Sequence, residues 1–151
     1  MPNLSQIFVQ NILDIYSNNG QVWLDGLPQK LDYLENLWHV KISKPMPNLT
    51  YSYVALAETK TGLSVIKLAP KSERLDREIR WYQAQKTGCA HLIASNTEQG
   101  ALLLEYLQPG ISLRQKVIEG QDDEATEIIA QVIVELNAPK ITGKTPFPHV
   151  S

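Results

Sequence analysis

The sequence predicts an α+β domain: a small, mainly antiparallel sheet with one helix inserted after its third strand, and further helices on either side. Three observations lead there. Apolar residues recur at helical spacing through the N-terminal part. The middle of the chain alternates at strand spacing around two turn sequences, Lys60-Thr61-Gly62 and Glu98-Gln99-Gly100. Between those turns Leu75, Ile79 and Tyr82 return to helical spacing.

Leu4, Phe8, Ile12 and Ile15, with Ile7 widening the stripe, make the first segment an amphipathic helix. Asn3 or Ser5 caps it and Asn18-Asn19-Gly20 ends it. Trp23, Leu27, Leu31, Leu34 and Trp38 share one face of a second helical region, which Pro28 breaks, a fresh helix starting near it. Trp38, Val40 and Ile42 alternate with His39, Lys41 and Ser43, which is strand spacing. Residues 44–48 hold two prolines and read as a loop. Residues 51–57 and 63–68 form a hairpin. A helix follows over about residues 73–86, with Gly88 as its stop. Residues 91–95 and 101–106 form a second hairpin. Gln108-Pro109-Gly110 is a sharp break. Residues 112–119 make a short helix. Asp122 or Asp123 caps a longer one through Asn137, with Ile128, Ile129, Val132, Ile133 and Leu136 on its buried side. Residues 139–151, rich in proline and polar side chains, are read as a loose tail. The expected organisation is residues 1–106 as N-terminal helices plus sheet lobe, 107–111 as a hinge, and 112–151 as a helical appendage with its tail.

With 14 basic and 16 acidic residues, the net charge of −2 gives no basic excess for nucleic acid or an anionic membrane. Cys89 is the sole cysteine, so it has no partner for an intrachain disulfide or a cysteine-based zinc site, and it reads as a half-buried structural thiol. The N-terminus has neither a basic segment nor a long apolar run, and a cytoplasmic location is expected.

Lys67 carries the chemistry. It comes near the end of the strand Leu63-Ser64-Val65-Ile66-Lys67-Leu68 and shares a face with Val65 and Leu63. A cation on an apolar face needs an anion nearby, either a phosphate or a carboxylate; the alternative is an edge lysine whose long stem reaches water. Glu78 lies three residues from Leu75 and four from Tyr82, on the inner face of the inserted helix, where it can meet Lys67; Arg74, four residues before it, is its competing partner. The apolar run Leu102-Leu103-Leu104-Glu105-Tyr106 enters the Pro-Gly break. Backbone groups exposed there can read a flat heterocycle, or the segment is simply a buried strand and its turn.

Trp23-Leu24-Asp25-Gly26-Leu27-Pro28, Ser52-Tyr53-Val54, Val65-Ile66-Lys67-Leu68, Glu78 and residues 100–113 together resemble the aminoglycoside/hydroxyurea phosphotransferase family, which includes streptomycin 6-kinases. Leu136-Asn137-Ala138-Pro139 and Pro146-Phe147-Pro148 look like its first C-lobe helix and the following loop. The resemblance covers the N-terminal half of a family member. It implies a kinase-like N-lobe, a hinge and one or two C-lobe-type helices, and transfer of the γ-phosphoryl of ATP to an antibiotic hydroxyl. By matching positions, Lys67 contacts the α- and β-phosphates, Glu78 orients Lys67, and Glu105, Tyr106 and Leu107 hold adenine. The loop over residues 48–52 covers the phosphates.

The chain departs from the family pattern in two places. Residues 47–52 include no glycine, so Thr50 or Ser52 hydroxyls are the candidates to replace close backbone approach to phosphate. None of His39, His91 and His149 has an aspartate two residues on, so no catalytic residue and no Mg²⁺ ligand is assigned within these residues. The expectation is a truncated phosphotransferase, inactive alone, with weak or vestigial ATP binding. The alternatives are a self-associating interaction module and one half of a split kinase completed by a separate C-lobe.

Overall fold

The computed structural model describes residues 4–85, 87–110 and 112–137. The order of elements is α1 (Gln6–Trp38), β1 (Lys41–Pro45), β2 (Tyr53–Thr59), β3 (Gly62–Leu68), α2 (Glu73–Ala84), β4 (Leu92–Asn96), β5 (Ala101–Glu105), α3 (Leu113–Ile118) and α4 (Asp122–Asn137). All five strands join one antiparallel sheet in the order β1-β2-β3-β5-β4. This is the α+β arrangement of a kinase-like N-lobe, with α2 inserted after the third strand.

Ser5 caps α1, its Oγ accepting from the Phe8 amide at 3.2 Å. The break expected at residues 18–20 falls at Ser17, whose φ of 48° and ψ of −128° bend the helix. Gly20 serves the packing across that bend. A Cβ on it would sit 2.7 Å from the Ile12 carbonyl oxygen. Pro28, in contrast to the expected break, lies inside the helix. It forfeits one backbone bond, while Trp23, Leu27 and Leu34 stay buried on the core side and hold the turns on either side of it.

Trp38 ends α1 rather than starting a strand. His39 adopts left-handed φ/ψ (53°, 45°) and its amide closes onto the Glu35 carbonyl. β1 then runs into Pro45, which the sequence places in a loop. An edge strand tolerates proline, and the pairing with β2 slips between Ile42 and Pro45. The Lys60-Thr61 turn joins Thr59 to Gly62 as expected.

The sheet buries both faces. Tyr53, Ala55, Ala57, Ile66, Leu68, Ala101 and Leu103 pack with Phe8, Ile12, Trp23, Leu27 and Leu34 of α1. Leu102 and Leu104 pack with Leu75 and Ile79 of α2, joined by half-buried Val65 and Tyr82. Ile7 and Ile15, counted in the α1 stripe, are 71% and 51% exposed, so that stripe is wider than the face that meets the sheet.

Ser72 caps α2 and Gln85 closes it; Lys86 lies outside the described residues. Gly88 is therefore not the helix stop. Its φ is 74°, and a Cβ there would meet the Leu136 amide nitrogen at 3.0 Å, so glycine lets the end of α4 approach this loop. Asp122 and Asp123 lie in the first turn of α4 rather than at its cap, where acidic side chains complement the helix dipole. The apolar side expected to be buried is largely open: Ile129, Val132 and Ile133 are 49%, 39% and 52% exposed. The expected cap Asn3, hinge residue Ile111 and tail 139–151 lie outside the described residues. No described helix is long and apolar enough to cross a membrane.

Candidate functional site

Strand alternation sends Ser64, Ile66 and Leu68 toward α1 and Val65 and Lys67 toward α2. Lys67 stands opposite Val54 on one neighbouring strand and Leu102 on the other. Its ammonium has no sheet neighbour to pair with, and the helix supplies one: Lys67 Nζ donates to Glu78 Oε1. The two side chains are 25% and 26% exposed, a pair sheltered from water but open along one edge. The competing pair does not form, since Arg74 has no carboxylate partner among the described residues.

Beside this pair lies a cavity of about 210 Å³. Tyr51 and Ser52 wall it from the β1–β2 connection, Lys67 from the sheet, and Ser72, Arg74 and Glu78 from α2; Ile15 and Tyr16 of α1 close the other side. Two cations and one carboxylate leave this wall with one net positive charge, suited to phosphate oxygens. Sequence reasoning gave Arg74 no role at the cavity and missed Tyr16 altogether. A helix-start position beside Ser72 pointed to the former; no local signal pointed to the latter.

The glycine-free loop makes its turn at Asn48, which takes φ 61°, a conformation asparagine tolerates better than most residues. Leu49 is buried and anchors it. Of the two hydroxyl candidates, Ser52 lines the cavity. Thr50 is exposed and lies outside its wall, with its carbonyl accepting from Asn11 Nδ2 at 3.2 Å.

The residues proposed for adenine do not line this cavity. The Glu105 amide donates to the His91 carbonyl at 2.8 Å, and Glu105 Oε2 accepts from the His91 amide at 3.1 Å. That residue is tied to the start of β4, and its N–H is spent. Tyr106 is half-buried and Leu107 is 53% exposed. Cys89 is half-buried; burial, then the Glu105 carboxylate, push its thiol above the ordinary range, the opposite of an activated nucleophile. Among the described residues no group of three or more His, Cys, Asp or Glu side chains could hold a metal ion.

No curated protein and no solved structure matches the chain. The family model described as aminoglycoside/hydroxyurea antibiotic resistance kinase matches residues 37–150. It takes in the whole sheet, Lys67, Glu78 and Glu105–Leu107, and leaves Trp23–Pro28 and nearly all of α1 outside. The match spans more than half of the 151 residues and coincides with a kinase-like sheet whose strand lysine is paired to the inserted helix. The chain belongs to the aminoglycoside/hydroxyurea antibiotic resistance kinase family.

Proposed function

We propose that these residues form the nucleotide-binding lobe of a phosphotransferase that uses ATP and acts on a hydroxyl of a streptomycin-type aminoglycoside in the cytoplasm. The observation that carries this reading is the Lys67–Glu78 pair on the wall of a cavity with net positive charge. In it, Lys67 contacts the α- and β-phosphates while Glu78 fixes the direction of its ammonium. Ser52, and Thr50 after a small loop movement, cover the phosphates. Adenine is read by backbone groups of Glu105, Tyr106 and Leu107. The spent Glu105 amide leaves its carbonyl and the backbone of Leu107 as the candidate contacts.

The transfer step needs a base and carboxylates for Mg²⁺, which neutralises phosphate charge when bound. His39, His91 and His149 are followed two residues on by Lys41, Ile93 and Ser151, so no His-x-Asp motif lies within these residues. Asp122 and Asp123 sit exposed in the first turn of α4. In our reading the 151-residue chain alone binds ATP weakly and does not turn over, and a complementing C-lobe supplies the missing groups. ATP titration with and without Mg²⁺, followed by calorimetry, is expected to show weak saturable binding that Lys67→Ala abolishes. A phosphotransfer assay with streptomycin is expected to show no product. Product formed by the purified chain, or equal ATP binding by the alanine variant, overturns the reading.

The open face of α4 favours a second reading, that the chain self-associates through Ile129, Val132 and Ile133. Light scattering is expected to show mass rising with concentration, and Ile133→Asp to hold the chain monomeric. A wild-type monomer at high concentration ends that reading.

A further inference from the structure

Lys67 and Glu78 cancel each other's charge, so the pair by itself brings no net charge to a bound anion. Three charged side chains line the cavity beside it: Lys67, Arg74 and Glu78. The uncompensated one is Arg74, whose guanidinium has no carboxylate in ion-pair range among the described residues. Glu78, one helical turn on, is placed to be its partner, but Glu78 Oε1 accepts from Lys67 instead. The positive balance of the cavity wall is therefore the charge of Arg74.

Strand register shows where along the site that charge stands. β5 runs antiparallel to β3, with Glu105 opposite Ser64 and Leu102 opposite Lys67. Lys67 thus lies three residues, about 10 Å, from the level of Glu105. α2 starts farther still in the same direction. A Cβ on Gly100, just before β5, would meet Leu75 Cδ2 at 3.0 Å, so the first turn of α2 lies over the end of β5 remote from Glu105. The cavity extends that way, with Ala69, Ser72 and Leu75 in its wall and none of residues 105–107. The order along the sheet is Glu105, then Lys67 with Glu78, then Arg74.

We propose that Arg74 binds the terminal phosphate of the nucleotide and makes the lobe selective for a nucleoside triphosphate over a diphosphate. This rests on the nucleotide reading: with the base at residues 105–107 and the α- and β-phosphates at Lys67, the polyphosphate runs toward the start of α2, and the γ-phosphate is the one that reaches the guanidinium. The planar guanidinium presents paired N–H donors that match two phosphate oxygens. ATP gains this contact, and ADP, which ends at Lys67, does not. Arg74 is exposed in the free chain, so its charge stays solvated until the phosphate arrives.

The test is calorimetry of ATP and ADP binding to the 151-residue chain in EDTA, so that no Mg²⁺ screens the phosphates. The parent is expected to bind ATP about tenfold tighter than ADP. Arg74→Gln is expected to bring the two within about twofold, weakening ATP and leaving ADP nearly unchanged. Arg74→Lys keeps the charge and loses the fork, and is expected to fall between. Arg77→Gln, also exposed on α2 but outside the cavity wall, is expected to keep the parent ratio. A ratio lost in Arg77→Gln as well would mean that general charge on α2 suffices, and overturns the proposal. So does a parent ratio that survives in Arg74→Gln while Lys67→Met weakens both nucleotides, a result that leaves the nucleotide reading in place. A parent chain that binds neither nucleotide ends both.

Discussion

Lys67 and Glu78 meet between β3 and α2, each about three quarters buried and hydrogen-bonded to the other. The lysine stem packs on the face that Val65 shares with Leu102 and Leu104, so only its ammonium depends on the carboxylate. Lys67→Met keeps the stem and removes the charge. We expect its urea midpoint to fall by an amount corresponding to about 1–3 kcal/mol, because the Glu78 carboxylate stays three quarters buried and loses its hydrogen-bonded partner. ATP affinity is expected to fall about tenfold or more, because a charge-assisted contact to phosphate is gone. Calorimetry and urea unfolding of one preparation separate the two effects; parent-like ATP affinity would remove Lys67 from the nucleotide site.

Ser52 and Thr50 are distinguishable although two residues apart. Ser52 lines the cavity beside Lys67, whereas Thr50 is exposed with its carbonyl held by Asn11. Ser52→Ala is expected to weaken ATP by about threefold or more, the size of one modest hydrogen bond, and Thr50→Ala by less. The opposite order in parallel titrations would mean that the loop rearranges fully on binding nucleotide.

The bend of α1 depends on Gly20. A Cβ there would press on the Ile12 carbonyl oxygen at 2.7 Å, a backbone atom that cannot rotate aside. Gly20→Ala is expected to cost about 1–3 kcal/mol through forced separation of the two helical halves. Gly26, in the same helix, has only the Lys30 Cε at 3.9 Å near the corresponding position. Gly26→Ala is expected to gain about 0.4–1 kcal/mol by restricting the unfolded chain. Thermal melts of the two variants should shift in opposite directions.

Much of the fold was legible because local and tertiary signals agreed. Strand parity at Lys67 and helix spacing at Glu78 put both side chains in one gap, and there they pair. Trp38 carried two patterns at once, helical with Leu34 and alternating with Val40. The helix prevailed because His39 could take the left-handed cap. Pro28 followed a sound local rule that tertiary burial overrode. The stripe on α4 shows that a face is apolar, which is a different matter from what covers it. Lys30 and Gln99 meet across 69 residues of sequence, a contact that no window of periodicity contains.

Alkaline pH is expected to weaken the fold in two steps. Burial and then the Glu105 charge raise the Cys89 pKa above 9.0, while burial and then the Glu35 charge raise that of Tyr53 above 10.0. Tyr82 is raised above 10.0 by burial first, then by Glu78 and Cys89. A group with a raised folded-state pKa holds its proton more tightly in the folded chain. Its contribution is complete below the unfolded value and is lost as pH rises through the folded one. Urea unfolding from about pH 7 to 11 should therefore show no loss from these three groups below about 9, a first decline from the thiol, and a steeper one once the phenols titrate. Cys89→Ser should remove the first step and Tyr53→Phe should reduce the second. The thiol should also react slowly with iodoacetamide at about pH 8 and faster in Glu105→Gln, where one cause of the raised pKa is gone. A first decline that survives in Cys89→Ser would assign the alkaline sensitivity to some other group.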